Sequence, residues 1–168
     1  DRRSPTQSVH VGKLVLGIGR IAQSTGLTFS ALAPHSGESD EEGAGALLTI
    51  LVYSCQEGLL LGSKGQPLSN VLWALGQLKT SFWDDLTPPL RSALMAVLYK
   101  ECKEDVEFTD QALSSTLLAL SKMGLRWHEI PLPVQSALST ALCRACLRSG
   151  DKQISSRAIG NILYALGT

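Results

Sequence analysis

The chain has 168 residues, is 44% hydrophobic but only 5% aromatic, and balances 15 basic against 15 acidic residues at a pI near 7.0. That length buries a sizeable core, and one so poor in aromatics must rest on Leu, Ala and Val. Neutrality argues against a domain held mainly by phosphate contacts, for which a pI above ~9 is expected, and no run reaches the ~18 uninterrupted apolar residues of a membrane span, so no membrane insertion is expected.

The first apolar stretch is Leu14-Val15-Leu16-Gly17-Ile18-Gly19-Arg20-Ile21. With Ala22 it shows the G-x-G-x-x-A spacing of a dinucleotide-binding turn, and Glu38 falls about where a ribose-binding acid would lie. That fingerprint needs a strand before it and a helix after it. The stretch instead aligns with Val71 to Leu78 at an offset of 57, Gly19 matching Gly76, which predicts one continuous helix. Residues 34–45, rich in Ser, Gly and acid, read as a flexible acidic insertion. Ala46 to Tyr53 then aligns with Ala93 to Lys100 at an offset of 47.

From Gln66 onward the repetition is plain. Gln66 to Leu75 returns as Gln111 to Leu120 and again as Arg157 to Leu166, at offsets of 45 and 46. Between the helices, Trp83 to Leu94 returns as Trp127 to Leu138 at an offset of 44. Each unit reads as helix, turn with Trp and Pro, helix. Leu68, Val71, Leu72, Leu75 and Leu78 fall at i, i+3, i+4, i+7 and i+10, and Leu113, Thr116, Leu117, Leu120 and Met123 repeat that stripe. Such spacing is one buried face of an α-helix. Leu72, Leu75, Leu94, Leu117 and Leu120 are the expected shared core. Thr87 is placed to cap a helix starting at Pro88, Thr109 or Asp110 the next, and Ser155 or Ser156 the last. The expected fold is all-α, an α-solenoid of about seven helices in three and a half repeats, forming one array over residues 1–168. An array ending on an apolar helix predicts a fragment of a longer chain.

Chemistry is sparse. Cys55, Cys102 and Cys146 recur at the repeat offsets (102 − 55 = 47, 146 − 102 = 44), so they are expected to be reduced, buried packing residues. Such thiols point to an intracellular or organellar setting. Cys143 and Cys146 form a C-x-x-C pair, but a zinc site needs two further ligands, and no metal is expected. His10, His35 and His128 have no catalytic partner at useful spacing, and His128-Glu129 occupies the turn where Asp84-Asp85 sits one unit earlier. No nucleophile–base pair and no marked carboxylate pair stands out, so the expectation is a non-enzyme without cofactor or small-molecule substrate. One row is the candidate binding site. Lys13 and Arg20, Asn70 and Gln77, Ser115 and Lys122, then Asn161 share equivalent helical positions, with Leu16, Trp73, Leu118 and Tyr164 between them. Amide, basic and aromatic groups in register suit a reader of single-stranded RNA; a solvated polar face with Trp73 and Tyr164 covering the neighbouring layer is the plainer alternative.

Ser69-Asn70-Val71-Leu72-Trp73-Ala74-Leu75-Gly76 and Asn161-Ile162-Leu163-Tyr164-Ala165-Leu166-Gly167 resemble the N-x-L-[WY]-A-L helix of octotricopeptide-like repeats, which accompany RAP-domain proteins in algal and apicomplexan organelles. Met123-Gly124-Leu125-Arg126-Trp127, followed by Pro131, is similar to the turn in such arrays. The resemblance implies RNA binding, RNA processing or translation, or a place in an organellar ribosome, hence single-stranded or ribosomal RNA as partner and a mitochondrion or plastid as location. HEAT and armadillo repeats share the period and imply a protein scaffold whose partners are subunits of a large assembly. Helical-repeat secreted effectors are a third family of this kind.

Overall fold

The computed structural model describes residues 5–32, 42–61, 63–103, 108–147 and 154–167. Among them all regular structure is helical: α1 (Pro5–Thr25), α2 (Phe29–Leu32), α3 (Glu42–Gln56), α4 (Gln66–Gln77), α5 (Pro88–Lys103), α6 (Asp110–Lys122), α7 (Leu132–Leu147) and α8 (Ser156–Gly167). Short 3₁₀ turns at Ser63–Gly65 and Trp127–Glu129 precede α4 and α7.

The helix boundaries follow local chemistry. The Thr109 hydroxyl accepts from the Ala112 N–H at 3.1 Å and caps α6, and the Ser155 hydroxyl does the same for α8 from Ala158 at 3.2 Å. Pro88 opens α5, where its missing N–H leaves no intrahelical bond unmade.

Packing sorts the helices into two layers. α1, α4, α6 and α8 stack one on the next, and α3, α5 and α7 stack alongside them. The core lies between the layers, and Leu72, Leu75, Leu94, Leu117 and Leu120 are all buried in it. The sequence register is visible in the packing. Gly19 approaches the α4 backbone so closely that an added Cβ would lie 2.7 Å from Ala74 Cα. Its counterpart Gly76 faces Ala119 of α6 in the same way, with 3.6 Å available. A second repeated device sits in the turns: the Phe29 N–H donates to the Leu78 carbonyl at 2.7 Å, and the Phe82 N–H to the equivalent Met123 carbonyl at 2.9 Å. Each turn thereby ties itself to an orphan carbonyl at the end of the next first-layer helix. Gly65 closes the junction between units. It holds φ of +77° beneath the Phe108 ring, which any Cβ there would overlap.

The four-residue α2 adds an eighth helix to the about seven expected, among the described residues. Two expectations need correction. Residues 42–45 of the expected insertion lie in α3, where burial of Leu47 and Leu51 outweighs the low helix propensity of Gly43 and Gly45; the rest of 34–45 lies outside the described residues. Cys146 is exposed, as is Cys143, whereas Cys55 and Cys102 are buried. Cys55 faces α5, and Arg144 of α7 bonds the Cys102 carbonyl. No second-layer helix lies beyond α7 among the described residues, so the same position there has nothing to pack on. The G-x-G-x-x-A stretch lies wholly inside α1.

Candidate functional site

The predicted row lies on the four first-layer helices, and none of its members is buried. Lys13 and Arg20 are exposed on α1; Asn70, Trp73 and Gln77 are half-buried on α4; Lys122 is exposed on α6; Asn161 is half-buried and Tyr164 exposed on α8. Ser115, Leu16 and Leu118, at the matching positions, are half-buried. Because α1, α4, α6 and α8 are consecutive neighbours, equivalent positions on them share one surface. That surface carries Lys13, Arg20 and Lys122 and no acidic residue within the row.

Two row members also have structural work. The Trp73 ring covers Gly19, where a Cβ would come within 2.9 Å of the ring. Trp73 is therefore part of the α1–α4 seam and offers only part of its face to solvent. The Asn70 Oδ1 accepts from Gln66 Nε2 at 2.7 Å, which fixes the amide and leaves its Nδ2 beside Gly12. An oriented amide is suited to directional recognition. Tyr164, 58% exposed, is the more open of the two aromatics.

The second layer holds a feature that sequence reasoning missed. Between α5 and α7 lies a cleft of about 470 Å³, with Phe82, Met95, Leu125 and Val134 lining it and Trp83 and Tyr99 beside them. Trp83 is 46% exposed and stands edge-on to Phe82 at a centroid distance of 5.3 Å. The Arg91 guanidinium stacks over Trp83 at 5.1 Å and donates from Nη1 to the Trp83 carbonyl at 2.6 Å. A second hollow of about 300 Å³ continues along the same helix pair, sharing Tyr99 and Pro133 and adding Lys103 and Arg144. The available signal was the ridge Arg91, Met95, Tyr99 at i, i+4 and i+8, three residues on one helical face. It was hidden because it belongs to one unit only: the next unit has Gln135, Ser139 and Cys143 there.

The thiols offer little chemistry in the core. Burial pushes Cys55 up to about 11, and burial, followed by the neighbouring Glu101 carboxylate, pushes Cys102 up to about 12 against the opposing pull of Arg144. Neither is a nucleophile near neutral pH. Among the described residues no group of three or more His, Cys, Asp or Glu could hold a metal ion, and no helix is long and apolar enough to cross a membrane. No protein-family model, curated protein or solved structure matches the chain.

Proposed function

We propose that the chain is a non-catalytic helical-repeat module that binds single-stranded RNA along the outer side of its first layer. The observation that carries this reading is the row itself: Lys13, Asn70, Ser115 and Asn161, and Arg20, Gln77 and Lys122, at equivalent positions on stacked helices, none of them buried. Helical repeats that read RNA assign a few side chains of each unit to one base. Here each unit would supply a polar group, a second polar or basic group seven residues on, and an apolar or aromatic surface between. Lys13, Arg20 and Lys122 would contact phosphates. The amides of Asn70, Gln77 and Asn161 would contact base edges, and Tyr164 would offer a stacking face. An organellar ribonucleoprotein setting, implied by the sequence resemblance, belongs to the same proposal.

Fluorescence anisotropy with a labelled single-stranded RNA oligonucleotide across a salt series tests it. Replacing Lys13, Arg20 and Lys122 with Ala should weaken binding to every sequence. It should also flatten the dependence of log affinity on log salt by about 2, at ~0.7 for each phosphate that is no longer neutralised. Asn70→Ala should instead cost discrimination at one base, by analogy with the ~1–3 kcal/mol of a good side-chain–base pair. Unchanged affinity after all four substitutions, or no binding at low salt, would leave a protein scaffold as the reading.

A further inference from the structure

The repeat supplies an internal control for the cleft between α5 and α7. Arg91 and Gln135 are equivalent (91 + 44 = 135), and both bond the carbonyl of the tryptophan that opens their turn. Gln135 Nε2 reaches the Trp127 carbonyl at 3.0 Å and also the Ile130 carbonyl at 2.7 Å. A neutral amide therefore does the turn's structural work in one unit. The positive charge of Arg91 exceeds what the turn requires. A guanidinium has five N–H donors, and the bond to Trp83 uses one. The two tryptophans differ in the same sense: Trp127 is half-buried against the core, whereas Trp83 stands exposed at the edge of the cleft.

The groove is elongated and predominantly basic. Arg91 stands toward one end; toward the other stand Lys103, which donates to the Tyr99 hydroxyl, and Arg144, which donates to the Cys102 carbonyl. Glu129 is the acid among the lining residues, and its carboxylate already accepts from the Arg126 N–H at 2.8 Å. From Arg91 to Lys103 is 12 residues of helix, a rise of about 18 Å. That span matches about five or six residues of extended chain at ~3.3 Å each. In an extended chain alternate side chains point to opposite sides. Every second residue could enter the apolar cleft while the others meet the cations at its rim.

We propose that the α5–α7 groove is a docking site for a short extended peptide of a partner protein, in which apolar residues alternate with carboxylates. Phe82, Met95, Leu125 and Val134 take the apolar anchors, and Arg91 takes a carboxylate, with its fork held in place by Trp83. Aromatic and arginine side chains at a preformed pocket are the usual energetic centres of such interfaces. The site lies on the second layer, so peptide and the RNA proposed for the first layer would not compete.

The test uses the purified chain and three fluorescein-labelled hexapeptides in which Leu and Phe alternate with Glu, with Gln or with Lys. The Glu peptide should bind at least about tenfold more tightly than the Gln peptide, a difference of about 1.4 kcal/mol, and the Lys peptide should not bind. Arg91→Gln copies the next unit and keeps the turn bond, so its melting temperature should hold while the preference for Glu over Gln disappears. Ser92→Trp, which fills the cleft from its exposed edge, should abolish binding of the Glu peptide with the melting temperature again unchanged. Equal binding of the three peptides, no binding of the Glu peptide at millimolar concentration, or an unaltered preference in Arg91→Gln would overturn the proposal. Displacement of the peptide by single-stranded RNA would overturn it as well, by assigning the groove to nucleic acid.

Discussion

Thr116→Val should make the protein more stable, and the size of the gain can be worked from the repeat. Thr116 lies in α6 with no exposed surface, and its Oγ1 has no hydrogen-bond partner among the described residues. Its counterpart one unit earlier is Val71 (116 − 71 = 45), equally buried in α4. The fold thus already accepts a second methyl in place of the hydroxyl at this position. A buried hydroxyl without a partner costs ~1–3 kcal/mol by protein mutational data. Thr and Val differ little in helix propensity, so the exchange should return about 1–2 kcal/mol. For a chain of this size that is a rise of about 2–8 °C in melting temperature. Urea titration followed by circular dichroism at 222 nm reads the change as a shift in midpoint at constant slope. Two companions constrain the interpretation. Val71→Thr should lose ~1–3 kcal/mol by creating the same defect. Thr116→Ser keeps the hydroxyl, drops the methyl and should lose about 1 kcal/mol. A neutral or destabilising Thr116→Val together with a harmless Val71→Thr would refute the reasoning, because the two positions would then not share an environment.

Leu117→Ala should cost ~2–5 kcal/mol through lost burial and a residual cavity between the layers; a urea-derived loss under about 1 kcal/mol would show the stripe to be unpacked. Gly65→Ala should destabilise by about 2 kcal/mol or more, since φ of +77° penalises any Cβ and the Phe108 ring must move; thermal melting checks it. At pH 8 a chromogenic disulfide should titrate Cys143 and Cys146 quickly and Cys55 and Cys102 only after denaturation. The same two buried thiols give an alkaline limit. Their folded values of about 11 and about 12 exceed the ordinary 9.0. Between those values the unfolded chain has released protons that the folded chain retains, so stability present below pH ~9 should fall as pH rises toward 11 and 12. Cys55→Ala and Cys102→Ala variants followed by denaturant titration at pH 8 and pH 10 should each show a smaller pH effect than the parent.

The fold class, the unit length and the positions able to be buried were all legible in the sequence. An apolar residue recurring at 3.6-residue spacing and again 45 residues later has one economical explanation, which is a stacked helix. Gly19 over Ala74 and Gly76 before Ala119 are that register made visible in the packing. The polar row could be read in the same way, because equivalent positions on stacked helices share a side. What tertiary structure alone decided is which equivalent positions are in fact covered. Leu163 matches Leu72 and Leu117, yet it is 65% exposed where they are 1% and 3%. Cys146 parts from Cys55 and Cys102 for the same reason. Burial is a property of the neighbour as much as of the residue, and the repeat pattern records only the residue. The α5–α7 cleft belongs to this second kind of information. Its walls come from Phe82, Met95 and Tyr99 on one unit and Leu125, Pro133 and Val134 on the next, residues brought together by stacking. The substitutions that open it, Arg91 and Tyr99 against Gln135 and Cys143, are departures from the repeat, and periodicity is blind to departures.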